Sequence, residues 1–151
     1  MLVRRASRGR WWLGLLAMTC LLAGSASALA RPVSLEATMI LASNEPAAQD
    51  PRLDAVEFKL RRIFGFEYYR YYGGGSAIVN LPGATAIALG HGFQLSVSAG
   101  AKDGRVRAGI TWLRGGEVVL STTVNMERGT PVILGGIAHE GGTLIVTLVA
   151  R

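Results

Sequence analysis

Cysteine is almost missing from this chain of 151 residues, and its only copy is Cys20. Cys20 lies within the first thirty residues, a segment that we expect to be removed from the working protein. The rest of the chain then has no thiol for a disulfide, for a nucleophile or for a thiolate zinc site. A domain of this size without disulfides must depend on a hydrophobic core for its stability.

Histidine is also scarce, and the usual catalytic patterns are missing. The only two histidines, His91 and His139, both lie beside glycine or glutamate in predicted loops. A zinc site needs three or four ligands at about 2 Å, so we predict no metal and no other cofactor. The sequence contains neither a Gly-x-Ser-x-Gly nucleophile elbow nor the Gly-Lys-Ser/Thr ending of a P-loop. We therefore predict that the protein is not an enzyme.

The first thirty residues have the three parts of a secretory signal peptide. Residues 1–10 carry four arginines and no acid, residues 11–23 are apolar, and Ala28-Leu29-Ala30 offers small residues for cleavage. The apolar run is shorter than the roughly 20 residues that cross a bilayer. We therefore predict that residues 1–30 are a signal peptide. We expect the protein to contact a membrane only through this segment, before it is cleaved. Retention of the segment as an anchor stays open.

The basic character of the chain comes largely from this leader. The whole sequence has 16 basic and 10 acidic residues, for a net charge of +6. Four of the basic residues and none of the acids lie in the leader, so residues 31–151 carry only +2. Outside the leader, the longest basic run is Arg61-Arg62. We therefore predict no nucleic-acid partner. The leader itself predicts a location in the bacterial periplasm or outside the cell, with outer-membrane association open.

Residues 31–151 form one predicted domain that starts with a strand and a helix. Apolar and polar residues alternate over residues 33–41, as in a half-buried strand. Asp50 suits a helix N-cap and Pro51 the first helical position. Apolar residues then recur at three- and four-residue steps, and Gly65 suits a helix end. The pattern predicts a helix near residues 51–64.

The remainder of the domain alternates short apolar strands with glycine turns. Residues 93–99, 106–112 and 118–126 alternate with a period of two, and residues 144–149 are apolar on both faces. Glycine pairs at 115–116 and 141–142 and the Asp103-Gly104 hairpin signal predict turns. We expect Gly73-Gly74-Gly75 to end a strand as a flexible joint, and Gly135-Gly136 to break another. The predicted fold is mainly β with one α-helix (α+β), an antiparallel meander that forms a sandwich or open barrel with the helix on one face.

An aromatic block is the most distinctive local feature. All four tyrosines of the protein lie in it, and we predict a possible interaction surface made of Tyr68, Tyr69, Arg70, Tyr71 and Tyr72. In a strand, Tyr69 and Tyr71 would share one face and the other three residues the opposite face. Aromatic rings and guanidinium groups are enriched at protein interfaces.

Two C-terminal segments, residues 124–137 and 144–151, carry a family resemblance. They contain, in this order, a predicted strand, a glycine turn, the sequence Val132-Ile133-Leu134-Gly135-Gly136 and a terminal apolar strand. This arrangement resembles the end of the secretin family of outer-membrane secretion channels. Secretins have long gate hairpins where this chain has only residues 138–143. The resemblance implies an envelope β module that associates by strand addition, and it implies neither a pore nor a catalytic residue.

These patterns together lead to one functional expectation and one alternative. We expect an exported, non-enzymatic, β-rich interaction or assembly domain of the cell envelope. Its partner would be an envelope protein of unknown identity or a second copy of the chain. The alternative is a small periplasmic hydrolase that acts on envelope polymers, with His91 or His139 as its base.

Overall fold

The computed structural model describes residues 31–151, so the predicted signal peptide lies outside the described residues. These residues form eight strands and one α-helix, in the order β1 (Arg31–Ser43), α1 (Asp54–Phe64), β2 (Tyr68–Leu81), β3 (Gly83–Gly90), β4 (Phe93–Lys102), β5 (Arg105–Arg114), β6 (Glu117–Met126), β7 (Val132–His139) and β8 (Gly142–Ala150).

The strands form two antiparallel four-stranded sheets that do not close into a barrel. Sheet A has the order β2-β1-β8-β7 and sheet B the order β3-β4-β5-β6. Strands that are adjacent in the chain pair with one another, except where the chain changes sheet after β2 and after β6. The first strand pairs with the last. The predicted α+β meander with a sandwich arrangement is therefore confirmed.

The main core lies between the two sheets. Alternating positions of β4 and β5 point into it, and Trp112 is completely buried there. From sheet A, β8 lies between two other strands and is buried along most of its length, as its continuous apolar sequence predicted. Burying a large apolar side chain of this kind contributes about 1.5–3 kcal/mol, so this core replaces the disulfides that the domain lacks.

The helix packs on the outer face of sheet A, as predicted. The side chain of Asp50 accepts a hydrogen bond from the backbone N–H of Arg52, and residues 51–53 form one 3-10 turn before α1. Gly65 ends the helix in the left-handed conformation with φ +70°. The second hydrophobic cluster joins the helical segment to the sheet, and its buried members are Ile40, Ala42, Leu53, Val56, Leu60, Tyr69 and Ile145. Within the described residues, no helix has the length and apolar character needed to cross a membrane.

The predicted joint at residues 73–75 is wrong, because β2 continues through all three glycines. A side chain at Gly73 would overlap the carbonyl oxygen of Leu89, and one at Gly75 would overlap that of Ala88. These glycines therefore let β2 of sheet A approach β3 of sheet B closely. The predicted break at Gly135-Gly136 is also wrong, since β7 runs through it with a register shift against β8.

The predicted turn at Asp103-Gly104 is confirmed by its backbone conformation. Both residues have positive φ, at +52° and +75°, as a type I′ hairpin turn requires. The same conformation recurs at His91-Gly92 and at Glu140-Gly141. Both histidines of the described chain therefore lie at hairpin ends, where the strands place them close to each other.

Candidate functional site

Tyr69 belongs to the core and not to a surface. Its side chain is only 2% exposed and packs in the cluster that holds the helix on sheet A. Burial raises the pKa of its phenol. The guanidinium of Arg61 lies 5.8 Å from the centre of the ring, and Arg61 also forms an ion pair with Glu57. Tyr69 therefore ties β2 to the helix.

Tyr72 brings the two histidines together. Its ring stacks on His91 with 4.3 Å between the centroids, and its hydroxyl lies 3.0 Å from Nε2 of His139. The imidazole of His139 is mostly buried and meets the ring of Phe93 edge-on. The Glu140 carboxylate lies 3.4 Å from the same Nε2 atom but is largely exposed. We call Tyr72, His91 and His139 the histidine cluster.

Sequence patterns alone did not show that the histidine cluster would form, because its members come from strand β2, from the turn between β3 and β4 and from the end of β7. Within the cluster, the Tyr72 hydroxyl and His139 are joined by a hydrogen bond, whereas His91 contacts Tyr72 through ring stacking. Within residues 31–151, however, no three His, Cys, Asp or Glu side chains are grouped in a way that would hold a metal ion. The cluster is backed by the main core, to which Phe93 and Tyr72 both contribute.

Tyr71 forms a different contact, with the segment that precedes the helix. The guanidinium of Arg52 lies 3.8 Å from the centre of the Tyr71 ring, and the same guanidinium binds both carboxylate oxygens of Asp50. The side-chain hydrogen bonds from Arg52 lower the pKa of Asp50. Because Arg52 is held from two sides, its position is fixed although its side chain is well exposed. We call Arg52 and Tyr71 the aromatic wall.

The alternation of β2 explains this division of the tyrosines. Tyr69 contributes to the second hydrophobic cluster, under the helix, and Tyr72 contributes to the main core between the sheets, so the two rings lie on opposite faces of sheet A. The ladder between β1 and β2 shifts register between Met39 and Ile40. Met39 pairs with Gly73 and Ile40 pairs with Tyr71, so Tyr72 is an extra residue without a partner in β1. Tyr68 is half-buried and Arg70 is exposed. The aromatic block is thus mainly a packing element, and only part of it is available to a partner.

The aromatic wall borders a part of sheet A that the helix does not cover. Here the outer face of β1 and β2 presents small polar residues and one exposed apolar side chain, and we call it the open face: Ser34, Glu36, Thr38, Ser76 and Ile78. Two depressions of about 630 and 290 Å³ lie along it and share Glu36, Thr38 and Arg52 as lining residues. Ile78 is 71% exposed.

The open face offers binding groups and not a reactive pair. It presents hydroxyls, one carboxylate and an exposed isoleucine, and the aromatic wall at its border adds a guanidinium and an aromatic ring; this combination suits recognition of another polypeptide. The contact between Arg52 and Tyr71 had no signal in the sequence, because the residues belong to different elements. The chain matches no known protein family, no curated protein sequence and no solved structure.

Proposed function

We propose that residues 31–151 are an exported, non-enzymatic interaction or assembly domain of the bacterial cell envelope, which binds a protein partner across the open face. The observation that carries this proposal is the aromatic wall beside an uncovered part of sheet A. Arg52 is already oriented by Asp50 and Tyr71, so a partner would pay little side-chain entropy to engage it. The exposed Ile78 supplies apolar contact area on the same face.

Two features of the sequence support the envelope part of the proposal. Residues 1–30 have the pattern of a secretory signal peptide, which would deliver the domain to the periplasm or the exterior. The segments that resemble secretins fall on the end of β6 and on β7 and β8. An assembly role at the outer membrane agrees with that resemblance. The net charge of only +2 on residues 31–151 gives no support for a nucleic-acid partner.

The test compares two serines on the outer faces of different sheets. Ser76 lies on the open face and Ser96 on β4 of sheet B, and both are exposed. We expect Ser76→Arg to weaken retention of the purified protein on envelope membranes from the source organism by at least about tenfold, whereas Ser96→Arg leaves retention unchanged. A bulky cation in the centre of the contact would remove about 1.4 kcal/mol or more. Equal retention of both variants would refute the assignment of this face.

Tyr69 is unsuitable for such a test despite its place in the aromatic block. Because its side chain is buried, replacing it would loosen the helix and affect any surface of the domain. Arg70 is the better companion variant, since it is exposed and its truncation changes charge without opening the core.

A small hydrolase that acts on envelope polymers is the second candidate, and one contact favours it. His139 Nε2 lies 3.0 Å from the Tyr72 hydroxyl, a distance that suits transfer of a proton to a base. The measurement is release of soluble fragments from labelled peptidoglycan by the protein and by the His139→Asn variant. Release that disappears in the variant would support the hydrolase. No release by the unmodified protein would favour the interaction domain.

A further inference from the structure

Strand β6 forms an edge of sheet B that the rest of the described chain leaves unpaired. It pairs with β5 on one side, and no strand within residues 31–151 pairs with it on the other. Its only charged residue is Glu117 at the first position, and it contains no proline. A long edge without proline, and with no charge beyond its first residue, presents free backbone N–H and C=O groups to another strand.

The other strand edges of the sandwich are less accessible or less regular. The edge strand β3 lies against β2, where Gly73 and Gly75 allow the backbones to approach. The edge strand β7 is interrupted near its middle by the register shift at Leu134/Gly136, whereas the register shift of β6 lies near its start, between Val118 and Leu120, and leaves residues 120–126 regular. Bulges of this kind disturb pairing with a further strand. Strand β6 is therefore the edge best suited to receive a partner strand.

In the regular part of β6, the alternation of inner and outer side chains is symmetric about its central residue. Residues 120–126 pair with β5 without interruption, and Thr123 is at their centre. On each side of Thr123, half-buried or buried positions alternate with exposed ones. Antiparallel pairing with a second copy about a two-fold axis through Thr123 would therefore place inner side chains opposite inner ones and outer opposite outer.

We infer that a second copy of this chain pairs with β6 in this register, so that the two B sheets become one continuous sheet. Leu120 would then lie opposite Met126 of the partner subunit, and Ser121 opposite Asn125 of the partner subunit. No like charges oppose each other in residues 120–126, which contain no charged residue. The same patch is used on both copies, as a two-fold interface requires. This surface belongs to sheet B and is independent of the open face.

Charge variants at the axis provide the test. In the Thr123→Lys protein, the two-fold axis would bring two introduced ammonium groups directly opposite each other, and in Thr123→Asp it would bring two carboxylates together. Like charges in such pairs cost up to about 1 kcal/mol, or about fivefold in affinity. We expect the unmodified exported protein to sediment as a dimer, each variant to dissociate up to about fivefold more readily, and an equimolar mixture of the two to recover dimers.

The matched control is Ser98→Lys, on the same outer face of sheet B but on the interior strand β4. We expect it to leave the dimer unchanged. A monomer at every concentration of the unmodified protein would overturn the inference, as would variants that dimerise normally or a mixture that fails to recover dimers. Thr123→Lys should also leave envelope retention through Ser76 unchanged, so the two proposals can fail separately.

Discussion

The close approach of β2 and β3 can be tested by adding a single methyl group to one of two strand glycines. Gly73 and Gly109 both lie within strands and both lack positive φ. In Gly73→Ala the new carbon would overlap the carbonyl oxygen of Leu89 and lie 3.2 Å from Cε of Met39. In Gly109→Ala its nearest neighbour would be the carbonyl oxygen of Ser98, at 3.9 Å.

The expected difference follows from these contacts. Overpacking of a core costs about 1–3 kcal/mol, and the value for Gly73→Ala should be near the upper end because a backbone atom must move. Alanine also restricts the unfolded chain, which stabilises the protein by about 0.4–1 kcal/mol where the site has room. We therefore expect Gly73→Ala to lower the free energy of unfolding by about 2 kcal/mol, and Gly109→Ala to raise it slightly.

Urea denaturation followed by tryptophan fluorescence measures both effects, because Trp112 lies in the main core. The two variants should shift the midpoint in opposite directions with the same slope, since the surface exposed on unfolding is unchanged. If Gly73→Ala unfolds at the same urea concentration as the unmodified protein, β2 does not pack on β3 as described. The interpretation of residues 73–75 as a flexible joint would then return.

Three further predictions concern the candidate site. Tyr69→Ala should lower the free energy of unfolding by about 3–5 kcal/mol, whereas Arg70→Ala should change it by less than about 0.5 kcal/mol. If urea denaturation shows the same loss of stability for both variants, the buried position of Tyr69 and the exposed position of Arg70 are contradicted. Tyr72→Phe removes the hydrogen bond to the buried imidazole and should cost about 1 kcal/mol, and a stability equal to that of the unmodified protein would refute that bond. Because the pKa of Asp50 is lowered in the folded protein, its pairing with Arg52 stabilises the fold above the ordinary aspartate pKa of about 3.9 and is lost as the pH falls through the lowered value. An NMR titration of the Asp50 carboxyl should show a midpoint below that of free aspartate, and a midpoint at or above it would contradict the pairing.

Local sequence patterns predicted the elements whose causes are local. Asp50 and Gly65 mark the two ends of the helical segment because capping and left-handed backbone depend on the residue itself. Asp103-Gly104 predicted its hairpin for the same reason. The continuous apolar run of residues 144–149 predicted a central strand, since a strand covered on both faces has no need of polar alternation.

The features that local patterns mispredicted or missed depend on distant strands. Glycine in a strand indicates either an end or a close approach, and only the position of Leu89 shows that Gly73 serves the second purpose. The histidine cluster also depends on how the two sheets pack, since His91 lies in the β3–β4 hairpin of sheet B and His139 in the β7–β8 hairpin of sheet A. Tyr72 contacts both imidazoles. The interaction surface at the aromatic block stays a prediction, and only the fold shows that Tyr69 and Tyr72 pack in two separate hydrophobic clusters.

Photo-crosslinking in living cells tests most directly whether the open face binds a protein. A photoreactive amino acid at position 76 lies on this face, and the same residue at position 96 lies on the outer face of sheet B. The proposal predicts one discrete crosslinked product in the envelope from Ser76 and none from Ser96. No product from Ser76, or identical products from both positions, would contradict it.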